Sequence, residues 1–320
     1  MTADGVAAVT HPFQVHVLRA NHPTRPLALW LSYTGPQAGT SGNGEVAAAF
    51  FDGEHNAVWH VRQQVPNSFC RINYETDELR LDESTLTPDQ VSGSAPGNNC
   101  HLFWDLQMHP LTEQLQSNPL LSVDTESVQS HLMFNGTIWL DGEPIEVRSW
   151  FGSRVDDQGQ KTFRRLAWAQ VVGFDNNPHA FFECSTQRMM LGAKWSPWMS
   201  MFTLTYAGSV YAINSLCDGI MEDNNSGSLV WRFDAKQAGV RIQGQVQAPA
   251  AFFARFTMPG VGAKDAVMHT KLANCIVTLT RPGKTPATLS SLHRASFEMS
   301  GEKHCLGVSV VTCMPETGLA

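Results

Sequence analysis

Charge is scarce in this sequence. Only 16% of its 320 residues are Asp, Glu, Lys or Arg, below the roughly 25% usual for soluble domains. Much of the polar surface therefore has to come from Asn, Gln, Ser and Thr. Basic residues are the rarer sign, 22 against 29 acidic, and a phosphate-backbone binder needs clustered Lys and Arg. Nucleic acid is set aside as a partner. Nowhere do about 18 apolar residues follow one another, so no transmembrane segment is expected, and the start Met1 to Val9 lacks the basic and apolar parts of a signal peptide. The expected location is cytoplasmic.

Paired cysteines are missing too. Cys70, Cys100, Cys184, Cys217, Cys275, Cys305 and Cys313 lie far apart, odd in number and without a Cys-x-x-Cys, which fits reduced core thiols better than a disulfide frame. Twelve histidines include only two close pairs, His11/His16 and His55/His60. A spacing of five puts such a pair on opposite faces of a strand, and neither pair has zinc-site spacing, so no metal is expected. There is no Gly-x-Ser-x-Gly elbow and no P-loop, and Gly260-Val-Gly262 lacks the third glycine and following helix of a dinucleotide fingerprint. No cofactor is expected.

Sustained helical periodicity is also hard to find. Leu111 to Pro119 reads as one short helix, ended by Asn118-Pro119. What is present is alternation with a period of two, clearest at Val240 to Ala248, where Arg241, Gln243, Gln245 and Gln247 fall on one face. Similar runs, among them Ala47 to Phe51, His101 to Gln107, Arg165 to Phe174 and Ala180 to Leu191, recur about every 8 to 15 residues, the pattern of an all-β sandwich or barrel. Asp52-Gly53, Asn135-Gly136, Asp141-Gly142, Ala207-Gly208, Pro259-Gly260 and Pro282-Gly283 supply hairpin turns. Thr34 to Gly44, Ser92 to Asn99 and Asp218 to Ser228 read as long surface loops.

Order and spacing of several segments resemble one family. They are Leu29-Trp-Leu31, Gly44 to Gly53, Trp104-Asp-Leu106, Phe134 to Val147, Leu166-Ala-Trp168, Phe181-Phe-Glu183 and Val246 to Pro249. The pattern resembles the carotenoid hydratase and tocopherol cyclase-like (AttH-like) family. The resemblance implies an all-β fold of two consecutive lipocalin-like antiparallel barrels, placed here at 1–165 and 166–320, around an apolar ligand. It also implies hydration, cyclisation or rearrangement of polyenes and isoprenoids. Where the family carries Gly-His-Asn-Trp-Gly, this chain has Val155-Asp-Asp-Gln-Gly159, and a following family histidine becomes Thr162. Trp150, Gly152, Gly159, Arg165 and Trp168 still match, so the chain resembles a divergent member lacking the family imidazole. Val267-Met-His269, before Leu272-Ala273, resembles a late family strand and brings His269 in as a ligand-binding residue.

Asp156 and Asp157 are the candidate catalytic residues. In an apolar barrel, desolvation and like charge would keep one carboxyl neutral and able to protonate an olefin or epoxide. Asp-Asp-Gln-Gly is equally an ordinary exposed turn. Nine tryptophans offer π faces for a polyene or a carbocation, and Trp104, Trp150 and Trp168 are taken as ligand-binding. Arg165 reads as a barrel-closing side chain packed on a tryptophan. Gln170 shares the strand face of Trp168 and joins the set, as does Asn214; His179 and Glu183 read as surface residues. The function expected is a cofactor-independent cyclase, isomerase or hydratase holding an apolar isoprenoid or polyketide-type intermediate in a barrel cavity. A non-catalytic lipid or pigment carrier of the same fold, or a structural protein with filled barrels, stays open beside it, as does homo-oligomerisation.

Overall fold

The computed structural model describes residues 14–36, 42–111, 126–157, 163–191, 194–215, 220–224, 227–256 and 267–300. The first half forms β1 (Gln14–Asn21), β2 (Leu27–Gly35), β3 (Gly44–Asp52), β4 (Ala57–Val65), β5 (Cys70–Asn73), β6 (Glu78–Leu81), β7 (Ser84–Leu86), β8 (Gln90–Pro96), β9 (His101–Pro110), β10 (Glu126–Leu140) and β11 (Glu143–Asp157). They make one antiparallel sheet in the order β4-β3-β2-β1-β11-β10-β9-β8-β7-β6-β5. The second half forms β12 (Phe163–Phe174), β13 (Asn177–Leu191), β14 (Lys194–Trp195), β15 (Met199–Tyr206), β16 (Ser209–Ser215), β17 (Ile220–Asn224), β18 (Ser228–Gln237), β19 (Val240–Pro249), β20 (Ala254–Phe256), β21 (Val267–Thr280) and β22 (Ala287–Ser300). Its order is β16-β15-β13-β12-β22-β21-β19-β18-β17, with β14 on β13 and β20 on β21. Each sheet curls into a nearly closed barrel. The sheets part between Asp157 and Phe163, and the 165/166 border lies inside β12. Among the described residues no helix is long and apolar enough to cross a membrane.

Turn chemistry accounts for the hairpins. Asp141 and Gly142 both have positive φ, 52° and 88°, as do Ala207 and Gly208, 50° and 74°, the two-residue geometry whose twist suits antiparallel strands. Asn135-Gly136 is different: it lies inside β10, where the register with β11 shifts between Phe134 and Gly136. The extra residue is on β11, where Arg148 and Ser149 stand against the single Asn135, a bulge, and the Asn135 side chain accepts the Ser149 backbone N–H at 2.8 Å. Two expected loops are also strands in part. Gln90–Pro96 runs through the Ser/Gly-rich stretch and pairs with β9, and Ile220–Asn224 pairs with β18; Gly and Ser propensity lost there to long-range pairing. The expected helix at Leu111 to Pro119 and the Pro259-Gly260 turn lie outside the described residues, apart from Leu111.

Three apolar clusters follow from strand alternation. One fills the first barrel, with Leu18, Tyr33, Phe50, Trp104, Phe134 and Trp150. Another fills the second, with Phe174, Phe182, Phe202, Trp231, Phe253 and Phe297. The third joins Ala28, Trp30, Ala47, Ala49, Phe51 and Val58 of the first barrel to Phe252, Ala254 and Leu272 of the second. It lies on the outside of both barrels, at the seam between them. β2 and β3 are buried on every residue, because one face looks into a barrel and the other into the seam.

Gly152 sits on β11 directly opposite Ala20 of β1. A Cβ there would lie 1.8 Å from the Arg19 carbonyl oxygen. Gly152→Ala is expected to cost about 2–3 kcal/mol, as overpacking does, read as a lowered urea midpoint with unchanged slope.

Candidate functional site at the seam between two barrels

Register assembles the seam from outward-facing side chains. On the first barrel a row crosses Ser153, Arg19, Trp30, Ala49 and His60, each directly opposite the next. On the second, a row crosses Ser185, Trp168, Glu298 and His269, and beside it Glu183, Gln170 and Ser296. The two surfaces are tied by hydrogen bonds. Arg19 Nε donates to Ser153 Oγ at 2.6 Å, and Ser153 Oγ donates to Gln170 Oε1 at 3.0 Å. The Arg19 guanidinium lies 4.3 Å from the Trp168 ring centre, a cation–π contact strengthened by burial. Trp168 Nε1 donates to Glu183 Oε1 at 2.8 Å. Asn21 of the first barrel donates to the Lys271 carbonyl at 2.6 Å.

Ionisable groups here are strongly perturbed. Lys271 is 0% exposed and its ammonium donates to Glu298 at 2.8 Å. Burial pulls its pKa down to about 8 against the attraction of Glu298. Burial alone would raise Glu298, but Lys271 and His269 outweigh it and hold the carboxyl at about 2. His269 packs edge-on against Trp30 at 4.8 Å and Phe51 at 5.6 Å. Burial and the Lys271 charge hold its pKa far below normal; burial and Arg62 bring His60 to about 4. Both imidazoles are therefore neutral near pH 7.

One carboxyl is shifted the other way. Glu45, 2% exposed, shares the outward face of β3 with Ala47 and Ala49. Its Oε2 accepts Arg62 Nε at 2.6 Å and also Gln64 Nε2. Its Oε1 is buried and, among the described residues, has no hydrogen-bond partner. Burial raises its pKa, and Arg62 and Gln64 only partly oppose this. A carboxyl so placed can hold a proton and deliver it from Oε1.

The residues singled out from sequence divide three ways. Trp168, Gln170 and His269 are brought to the seam, buried at 5%, 2% and 2% exposure, and the Gln170 amide nitrogen has no hydrogen-bond partner among the described residues. Trp104 and Trp150 are core of the first barrel: Trp104 Nε1 donates to Tyr33 Oη at 2.8 Å, and Trp150 meets the His22 ring at 5.5 Å. Asn214 points outward and is exposed, because Ile213 takes the inward position of β16. Asn214→Ala is expected to leave stability within about 0.5 kcal/mol and ligand affinity unchanged, checked by thermal melting and titration.

Asp156 is not a neutral acid. It faces into the first barrel, where its carboxylate is 2.6 Å from His16 Nδ1 and 2.8 Å from Arg154 Nε. Burial alone would raise its pKa, yet His16 and Arg154 hold it below the usual range. The Asp157 backbone pairs with Val15 and Glu126; its side chain and that of Arg165 lie outside the described residues. Among the described residues, Arg19 stacks on Trp168 and Arg188 on Trp198. His179 is exposed as read, whereas Glu183 is half-buried and accepts from Trp168.

Arg19, Trp30, Glu45, Lys271 and Glu298 were not found from sequence. One signal for Glu45 was available: Gly44-Glu-Val-Ala-Ala-Ala-Phe-Phe51 has apolar residues at both parities, which marks a strand covered on both faces.

Solved structures share this architecture. AttH, as assigned in Nitrosomonas europaea, superposes with a TM-score of 0.56 at 11% identity, over 92% of this chain and 94% of that one. The chain has the tandem lipocalin-like fold. Kievitone hydratase from Nectria haematococca gives 0.54 at 10% identity, over 93% of each chain. CghA with Sch210972 gives 0.51 at 11% identity, over 90% of this chain and 89% of that one. At such identities the likeness is one of fold. The sequence matches no family model and no curated protein.

Proposed function

We propose that this protein is a cofactor-independent hydratase, cyclase or isomerase for an apolar isoprenoid or polyketide-type molecule held at the seam, with Glu45 as the proton donor. The observation that carries the reading is the Glu45 carboxyl: buried, pinned through one oxygen by Arg62 and Gln64, and at the other without a partner among the described residues. Proton transfer to a double bond generates a cation that water or an internal double bond then captures. Trp30 offers a π face to such a cation, and the imidazoles of His60 and His269, neutral near pH 7, add no charge of their own. The seam excludes water and orients the substrate, the proximity contribution to rate. Kievitone hydratase, with the same fold, is a hydratase by name, which supports the class of reaction. The carrier reading draws on Asp156, whose carboxyl His16 and Arg154 hold below the usual range.

Product chemistry separates the two. Lipid-soluble metabolites of a host making the protein are resolved by mass beside those of a host making Glu45→Gln. A compound isomeric with its precursor, or heavier by one water, is expected with the wild type and absent with the variant. An unchanged precursor that co-purifies with both proteins would establish the carrier instead.

A further inference from the structure

The groups assigned to the reaction at the seam are covered. Glu45, Trp30 and His60 of the first barrel are 2%, 4% and 4% exposed, and His269 of the second is 2% exposed. An apolar molecule cannot reach them while the barrels stay docked in this way. The docking itself differs from one side of the seam to the other. On β1 and β11 the ties are polar: Ser153 donates to Gln170 at 3.0 Å, the Arg19 guanidinium lies over Trp168, and Asn21 donates to the Lys271 and His293 carbonyls at 2.6 and 3.3 Å. On β2, β3 and β4 the second barrel is met by packing. Trp30 and Phe51 lie edge-on to the His269 ring, and Ala49, Phe51 and Val58 form one apolar cluster with Phe252, Ala254 and Leu272.

We propose that the docked seam is the closed state of a hinge, in which the second barrel turns on the polar ties at β1 and β11 and lifts Phe252, Ala254 and Leu272 from β3 and β4 to admit an apolar substrate. Two features assign the pivot. β11 ends at Asp157 and β12 begins at Phe163, so covalent continuity holds that side together. β4 stands four strand spacings from β11, about 19 Å along the sheet at about 4.8 Å each, so a small rotation at the pivot becomes the largest displacement there. Directional hydrogen bonds also fix an axis, because they weaken steeply when bent. Apolar burial is non-directional, so the far side can part and close again without a register to recover. Surfaces between barrels of one chain move relative to each other by default, and closure over a bound molecule excludes water before chemistry begins. The purpose of the hinge rests on the reaction proposed for Glu45; the motion is testable without a substrate.

Thiol labelling of the full chain with N-ethylmaleimide, resolved by peptide mass, tests it. Ala48 and Ala49 are neighbours on β3 and both 0% exposed, but Ala48 faces into the first barrel and Ala49 into the seam. Cys184, 0% exposed in the core of the second barrel, is an internal standard in every variant. Relative to Cys184, the Ala49→Cys thiol is expected to react about 100-fold faster than the Ala48→Cys thiol, as a sub-global opening does. Its rate should depend less on urea, because opening exposes less surface than unfolding. Ser153→Cys, beside the pivot, should react about ten-fold more slowly than Ala49→Cys, the local opening there being smaller. Should Ala49→Cys not fold, Ala254→Cys on the facing surface carries the same comparison. Equal rates for Ala48→Cys and Ala49→Cys would overturn the hinge, and so would Ser153→Cys as fast as Ala49→Cys, which would mean complete undocking. Product formation without fast labelling would leave the Glu45 reaction standing and remove the hinge; fast labelling without a Glu45-dependent product would keep the hinge and remove the reaction.

Discussion

Replacing Glu298 by leucine is expected to lower the stability of this protein by about 3–5 kcal/mol, the usual result of breaking one side of a buried ion pair. Lys271 is 0% exposed and its ammonium has Glu298 as its carboxylate partner at 2.8 Å. Without that carboxylate the lysine must stay charged in a dry seam or give up its proton, and each course costs free energy. Its pKa, already near 8, would fall further, so the loss is limited to the cost of neutralising the amine. For a chain of this size the melting temperature should drop by roughly 10 °C. Glu298→Leu combined with Lys271→Met should recover most of the loss, since apolar replacement of a whole buried pair is often neutral. A double variant as unstable as the single one would show that the pair is not the cause.

The same pair sets a pH signature with two windows. Glu298 is near pH 2 when folded against an ordinary 4.5; the unfolded chain binds the extra proton between these values. Its stabilisation is complete above pH 4.5 and is lost as pH falls toward 2. Lys271 is near 8 folded against 10.5, so its burial penalty applies in full below pH 8 and is relieved as pH rises to 10.5. Stability should rise with pH in both windows, and the double variant should flatten both. Urea midpoints measured across pH 2–11 read this directly.

The second large effect is catalytic. Glu45→Gln should lower kcat by about 10²–10⁴, the contribution of a positioned general acid, with KM little changed. Glutamine retains an amide oxygen for Arg62 and loses the acidic proton. Because burial raises the Glu45 pKa, the wild-type rate should fall as pH climbs through that raised value, and this limb should vanish in the residual activity of the variant. Stability should move oppositely. A carboxyl with a raised folded pKa contributes stability below the ordinary 4.5 that disappears as pH rises through the folded value, so the variant should match or exceed the wild type near pH 7. A rate loss that tracks a loss of folded protein would make Glu45 structural only.

How much of this was legible beforehand depended on how local the cause was. The Asp141-Gly142 and Ala207-Gly208 hairpins are written in two residues each, because positive φ at both turn positions favours Gly, Asp and Asn and matches the strand twist. Trp168 and Gln170 were paired from parity alone and do share the seam face, since side chains two apart on a strand point the same way. Parity gives the face and not its neighbour. Gln170 was placed inside a barrel, whereas the structure sets it outside one and against another. Asp156 failed for the same reason: its acid role assumed an apolar, unpaired setting, and register delivered His16 and Arg154.

The sequence by itself determined the all-β class, the hairpin turns and the even spacing of strands, because these arise from φ/ψ preferences and period-two burial within a few residues. Tertiary structure alone decided the chemistry of the sites. His16 meets Asp156 across 140 residues and Asn21 meets Lys271 across 250, contacts set by sheet register and by the docking of two barrels. No local signal encodes such pairings, and they determine which carboxyl is pulled below its ordinary pKa and which is pushed above it.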